Sequence, residues 1–152
     1  VTSPEDLLRA SGAPFKLHEH VPIVGRHDAE TKLGLPTHMM LKTMVFRTVD
    51  GTFVLAALPV TGRVGYARLA RAAGVRRDQL RQAAPEELRL LGVEPGSASP
   101  VSDADGVVIV FDASVPGMGT VYCGSGRPDR TIEIDADVLI EVVKPRLAEL
   151  CP

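Results

Sequence analysis

Apolar positions recur with two different periods along this chain, and the places where one period gives way to the other mark its elements. Ser3-Pro4-Glu5-Asp6 reads as a capping serine, a proline at the first helical position and acids in the first turn, so a short helix runs to about Ala10. FKLHEH alternates with period two and predicts a strand from Phe15 to His20. HDAETKLGLP predicts a short helix from about Asp28, ended by Gly34 and closed by Pro36. MMLKTMVFRTV and TFVLAALPV then flank Asp50-Gly51, the strongest local hairpin signal in the sequence. Met39–Thr48 and Thr52–Val60 are therefore expected to pair antiparallel.

The period lengthens after the hairpin. YARLARAAG is Ala- and Arg-rich and stopped by Gly74, RRDQLRQAA predicts a second short helix, and Pro85 opens a third, PEELRLLG, stopped by Gly92. The next 13 residues, Glu94 to Gly106, have no regular period and are rich in Gly, Pro, Ser and Asp, a length that calls for a reason in a compact domain. VVIVFD reads as a buried central strand, and MGTVYCG and RTIEID as two more. Asp135 caps a last helix, with Val138, Leu139, Val142, Val143 and Leu147 forming its apolar stripe and Pro145 as a kink. No repeat or linker divides the 152 residues. The expectation is one α+β (mixed α/β) domain spanning 1–152.

Composition adds little to that picture and charge adds more. At 45% hydrophobic the chain can build a core, but with only 4% aromatics that core must come from Val, Leu, Ile, Ala and Met. There is no membrane-length apolar run and no signal-peptide pattern, so the cytoplasm is the expected location and no membrane is expected as a partner. A net charge of −2 argues against a generic nucleic-acid binder, and DNA is not expected as a partner. The charge is uneven, however: Arg63 to Arg89 holds seven arginines against Asp78, Glu86 and Glu87, an excess of +4 over a remainder of −6. That segment is either a solvated helical face or a local grip for a polyanion, with Arg68 and Arg71 the candidates for contact.

Lys42 is the first candidate for chemistry. On a strand it shares a face with Met40, Met44 and Phe46, and a lysine in an apolar row either snorkels to water or binds an anion or carbonyl at the mouth of a pocket. Gly96-Ser97-Ala98-Ser99-Pro100 is the second: glycine permits close backbone approach, proline fixes the far end, and the small residues between leave main-chain groups available. It is neither a P-loop nor a dinucleotide-binding loop. His18 and His20 share a strand face, yet no completing ligand pattern stands near them; a metal is not expected, and His20 reads better as a hydrogen-bonding group in a pocket. Cys123 reads as a buried strand cysteine rather than a nucleophile, and the two cysteines form no disulfide framework.

Together LKTMVFR at Leu41–Arg47, GSASP at Gly96–Pro100, and VYCGSGRPDRTIEI followed by DVLIEVV resemble, in order and spacing, the YbaK/ProX family of aminoacyl-tRNA deacylases, related to the editing domain of bacterial prolyl-tRNA synthetase. The resemblance covers almost the whole chain. It implies a curved mixed β-sheet wrapped by short helices and a hydrolase that clears mischarged aminoacyl-tRNA without a cofactor, with a synthetase as a further partner. It implies catalytic roles for Lys42 and Gly96, and substrate contacts from His20, Thr43, Ser97, Ala98, Ser99, Pro100 and Thr131. Thr43 matches the cysteine-directed members, where alanine-directed ones carry asparagine. Ser97 replaces a loop glycine of the bacterial cysteinyl enzyme, His20 falls near its tyrosine, and Thr131 stands where it has an aspartate. The acyl group implied is small, cysteine or alanine on tRNA(Pro).

Overall fold

A computed structural model describes residues 2–23 and 34–152, so the helix expected from Asp28 lies outside the described residues. The described elements are α1 (Pro4–Ser11), β1 (Lys16–Glu19), β2 (Leu41–Thr48), β3 (Phe53–Pro59), α2 (Tyr66–Ala73), β4 (Leu80–Gln82), α3 (Pro85–Leu88), β5 (Val107–Asp112), β6 (Thr120–Gly124), β7 (Arg130–Asp135), α4 (Ala136–Val143) and β8 (Arg146–Ala148). Their strands make two sheets, an antiparallel one in the order β1-β7-β6 and a mixed one in the order β4-β2-β3-β5-β8. The sheets meet where Met40 forms a parallel bridge with Tyr122. This is a mixed α+β domain.

The hairpin forms as the Asp50-Gly51 dipeptide predicts. Gly51 takes φ +90°, Thr48 and Thr52 close the turn, and Lys42 pairs with Leu58 through to Arg47 with Phe53. β3 and β5 are parallel, joined by a crossover that holds α2, β4 and α3, and β5 and β8 are parallel as well. A strand covered on both faces reads as an unbroken apolar run, and Phe53 to Leu58 are all buried. On one face Phe46, Val54 and Val110 pack against Leu69, Ala70 and Ala73 of α2; on the other, Val45 and Leu55 pack against Leu91 and Val93. A third cluster sits between the antiparallel sheet, α1 and α4, with Leu8, Ile132 and Leu139 fully buried. Each side chain of this size withdrawn from water stabilises the fold by about 1.5–3 kcal/mol.

Two sequence expectations are corrected. RRDQLRQAA is not a helix: Arg77–Gln79 make a single 3₁₀ turn, and Leu80–Gln82 form an edge strand paired with Phe46–Thr48. Leu80 is buried in the α2 core, and the β2 edge offers it ladder hydrogen bonds, so tertiary pairing overrides local helix propensity. Glu87 locks this edge, accepting from Arg47 at 2.6 Å, Arg81 at 2.6 Å and the Ala84 amide at 2.8 Å. Arg81 first, then the Ala84 amide and Arg47, hold its carboxyl far below the usual range. The last helix also ends early. Lys144 adopts φ 52° and Pro145 stops the helix rather than kinking it, so Leu147 lies in β8, half exposed, and not on the helical stripe.

The C-terminal residues are tied down by Asp112, whose Oδ1 accepts from the amides of Leu150 (2.8 Å) and Cys151 (3.3 Å), while Oδ2 accepts from the Ser114 amide at 3.1 Å. Burial works to raise its pKa, but the bonds from Ser114, Leu150 and Cys151 outweigh that and leave it lowered. A lowered folded-state pKa gives stability that is present above the unfolded value and lost as pH falls through the folded one. Asp112→Asn is therefore expected to cost about 1–3 kcal/mol at neutral pH, with the difference from wild type shrinking as pH falls below about 4. Thermal denaturation of both proteins between pH 3 and pH 7 checks this, and an unchanged midpoint at pH 7 contradicts it.

Candidate functional site

β4 pairs only with Phe46–Thr48, and the first half of β2, next to the Met40–Tyr122 bridge, borders a cavity of about 420 Å³. Four consecutive β2 residues, Leu41, Lys42, Thr43 and Met44, line it. Thr61, Gly62 and Arg63 line it after β3, Gly96, Ser97 and Ala98 come from the long irregular segment, and Tyr122, Cys123, Gly124 and Thr131 come from the antiparallel sheet. His20 and Ile23 line it from the N-terminal part. The volume is that of a small-ligand site.

The Gly96–Ala98 loop reaches the cavity because two glycines let it. Gly96 itself has φ +83°. A Cβ on Gly124 would stand 2.1 Å from the Ala98 carbonyl oxygen, so only glycine allows this contact between loop and β6. The loop is then clamped: the Gly126 amide donates to the Ser97 carbonyl at 2.8 Å, the Ser97 amide to Glu94 at 3.0 Å, and the Glu94 amide to Gly126 at 3.0 Å. These bonds engage the main-chain groups of Ser97, and Gly96 and Ala98 line the cavity on either side of it. The Ser97 and Thr43 hydroxyl oxygens are buried without a hydrogen-bond partner among the described residues, and both residues border the cavity. A buried unpaired hydroxyl costs about 1–3 kcal/mol, which a ligand group can recover.

Lys42 shares its β2 face with Met44 and Phe46, which pack on the α2 side, and its charge acts on the Cys151 thiol. Arg63, Arg127 and Arg130 also line the cavity, so its described charged groups are all cationic. Two of these are balanced nearby: Arg127 pairs with Asp129 at 3.2 Å, and Arg130 with Glu5 at 3.2 Å and Glu19 at 3.6 Å. Sequence reasoning missed Arg63, Tyr122, Arg127 and Arg130, because only the fold carries them to Lys42.

Of the residues singled out in the sequence, Lys42, Thr43, Gly96, Ser97, Ala98, His20 and Thr131 line this cavity. Ser99 and Pro100 do not. Both are buried, and the Ser99 hydroxyl accepts from the Val101 amide at 3.2 Å. Arg68 and Arg71 are exposed on α2 away from the lining, and Arg68 faces Glu149 at 3.6 Å. His18 and His20 do not converge on one point: His18 bonds Glu133 at 2.9 Å and His20 bonds Thr131 at 2.8 Å. Cys123 is buried, and burial pushes its thiol up to about 12, where little nucleophilic thiolate exists. Cys123→Ser is expected to keep any turnover at this cavity within about threefold of wild type; a folded but inactive variant contradicts this.

Comparison with known proteins now bears on the site. The aminoacyl-tRNA editing domain matches residues 20–142, a span that includes every described lining residue. The chain belongs to the aminoacyl-tRNA editing domain family. No curated protein matches the chain. Among solved structures, the hypothetical protein APE2540 superposes with a TM-score of 0.83 at 23% identity, covering 97% of this chain and 98% of its own. A candidate trans-editing enzyme for prolyl tRNA synthetase superposes with a TM-score of 0.76 at 23% identity, covering 100% and 99%. The same fold makes up 29% of a candidate signal transduction protein from Marinobacter aquaeolei VT8, at 14% identity and a TM-score of 0.70 over 96% of this chain. Likenesses at these identities show the fold alone, and activity must be argued from the site.

Proposed function

We propose that this editing domain is a deacylase that hydrolyses the ester joining a small amino acid, cysteine or alanine, to a mischarged tRNA(Pro), acting in trans. The observation that carries the reading is the convergence of Lys42 and the Gly96–Ala98 loop on one cavity, although 54 residues separate Lys42 from Gly96. The trans arrangement and the prolyl system are supported by the candidate trans-editing enzyme, which matches this chain from end to end.

The chemistry suits these groups. An aminoacyl ester is already activated, so hydrolysis needs a placed water and stabilisation of the developing oxyanion more than a strong nucleophile. Water attacks the carbonyl carbon, its proton passes to the ribose oxygen as that oxygen leaves, and free amino acid and tRNA result. Lys42 supplies positive charge to the carbonyl oxygen or the adjoining phosphate, while Gly96 and Ala98 align the ribose and acyl group. Arg63 adds attraction for the phosphate backbone at the cavity.

The test is a deacylation screen over a full panel of aminoacyl-tRNAs. Fastest turnover of a small acyl group on tRNA(Pro) is the expected result, and no turnover of any ester contradicts the reading. Arg68 and Arg71 belong to the binding surface in this account. Replacing both with alanine is expected to raise KM and flatten its salt dependence while leaving kcat nearly unchanged. Unchanged KM and salt slope assign them to a solvated face.

A further inference from the structure

His20 is held at both ring nitrogens. Nδ1 lies 2.7 Å from the Val21 carbonyl oxygen, which can only accept, so Nδ1 carries a proton. Nε2 lies 2.8 Å from Thr131 Oγ1. In the neutral ring with Nδ1 protonated, Nε2 is an acceptor, and the single Thr131 hydroxyl proton must point to it. Thr131 Oγ1 is then left with lone pairs alone for anything else that approaches, and both residues line the cavity.

The neighbours sharpen what that oxygen can receive. Thr131 pairs with Gly124 across β6 and β7, and the Ala98 carbonyl oxygen stands close against that same glycine. A hydroxyl fixed as an acceptor and a carbonyl thus flank one residue that has no side chain to separate them. The charged groups lining the cavity are cations among the described residues, which draws the phosphate end of a tRNA and leaves a positive ligand group to neutral acceptors. An aminoacyl ester brings one such group, its α-ammonium, with up to three N–H donors.

We propose that Thr131 Oγ1, oriented by its hydrogen bond to His20, receives the α-ammonium of the acyl group, and that this pair makes the site select aminoacyl esters over acyl esters without the amine. The proposal rests on the deacylase reading above. His20 is in this scheme a positioning residue that fixes the polarity of the hydroxyl.

The experiment compares the best ester found in the panel with its desamino counterpart on the same tRNA. Wild type, Thr131→Val, Thr131→Ser and His20→Gln are assayed after circular dichroism confirms folding. Wild type is expected to prefer the amine-bearing ester. Thr131→Val is expected to lose about ten- to hundredfold in kcat/KM on it, mostly through KM, with the desamino ester changed less than threefold. Thr131→Ser keeps the hydroxyl and His20→Gln keeps an acceptor for its proton, so both are expected to retain most of the preference. Equal losses on both esters with Thr131→Val, or no loss on either, overturn the proposal while leaving the deacylase reading standing. Wild-type protein inert toward every ester contradicts the deacylase reading itself, and this proposal with it.

Discussion

Replacing Lys42 with alanine is expected to leave the protein folded and to slow single-turnover deacylation of its best substrate about a hundredfold. Lys42 lies on a strand that is held on one side by a full antiparallel ladder with β3 and on the other by β4, so its side chain is not what keeps β2 in place. In the proposed mechanism its contribution is electrostatic: a charge positioned against a developing oxyanion or adjoining phosphate inside a cleft is worth more than in water, and losing one such contact costs about 3 kcal/mol. Lys42→Arg is expected to recover only part of the rate, because a planar fork differs from a point ammonium in reach and geometry. A folded Lys42→Ala protein within threefold of wild type contradicts the mechanism.

Gly124→Ala is the second large effect, and it acts through position rather than charge. The added methyl would lie 2.1 Å from the Ala98 carbonyl oxygen and 3.2 Å from that of Ser97. Both contacts are backbone, so no rotamer change relieves them, and either the loop or β6 must move. The Gly126–Ser97 and Ser97–Glu94 bonds resist that movement, so the substitution costs about 1–3 kcal/mol as overpacking. A retreat of the loop by about 1 Å is enough to cost on the order of a hundredfold in kcat. Thermal denaturation and single-turnover rates check the two parts separately. Wild-type kcat with an unchanged melting temperature contradicts the role given to the Gly96–Ala98 loop.

The sequence made the hairpin legible because Asp50-Gly51 is a local signal whose turn geometry needs nothing from the rest of the molecule. The same holds for the serine cap of α1, where the Ser3 hydroxyl accepts from the Asp6 amide at 3.1 Å, and for the Asp135 cap of α4. β4 and β8 were not legible. Each is three residues long, too short for a period to show, and each becomes a strand because a neighbouring edge is open to it. Leu147 continued the helical spacing of Val143, yet the backbone at Lys144 and Pro145 turns it into β8.

The site divides in a similar way. Lys42 and Gly96 stood out from their local surroundings, a cation in an apolar strand and a glycine in an overlong loop. Ser99 and Pro100 belong to the same loop motif, but both are buried and lie outside the cavity lining. Arg63 opened the arginine-rich segment, and Tyr122 and Arg127 lay within the VYCGSGRPDRTIEI motif, yet nothing local singled them out from their neighbours, and each gains a place at the cavity only through the fold. Gly124 looked like one of two glycines in a short turn sequence; the need for it appears only once Ala98 is seen against it.

The central claim is that this cavity turns over an aminoacyl ester rather than merely holding it. Release of amino acid from mischarged tRNA(Pro), with tRNA in large excess over protein, measures that directly. The account predicts many equivalents of free cysteine or alanine released per protein molecule, well above the spontaneous rate. An ester that is bound and protected, decaying no faster than it does alone, would show a binding module and contradict the account.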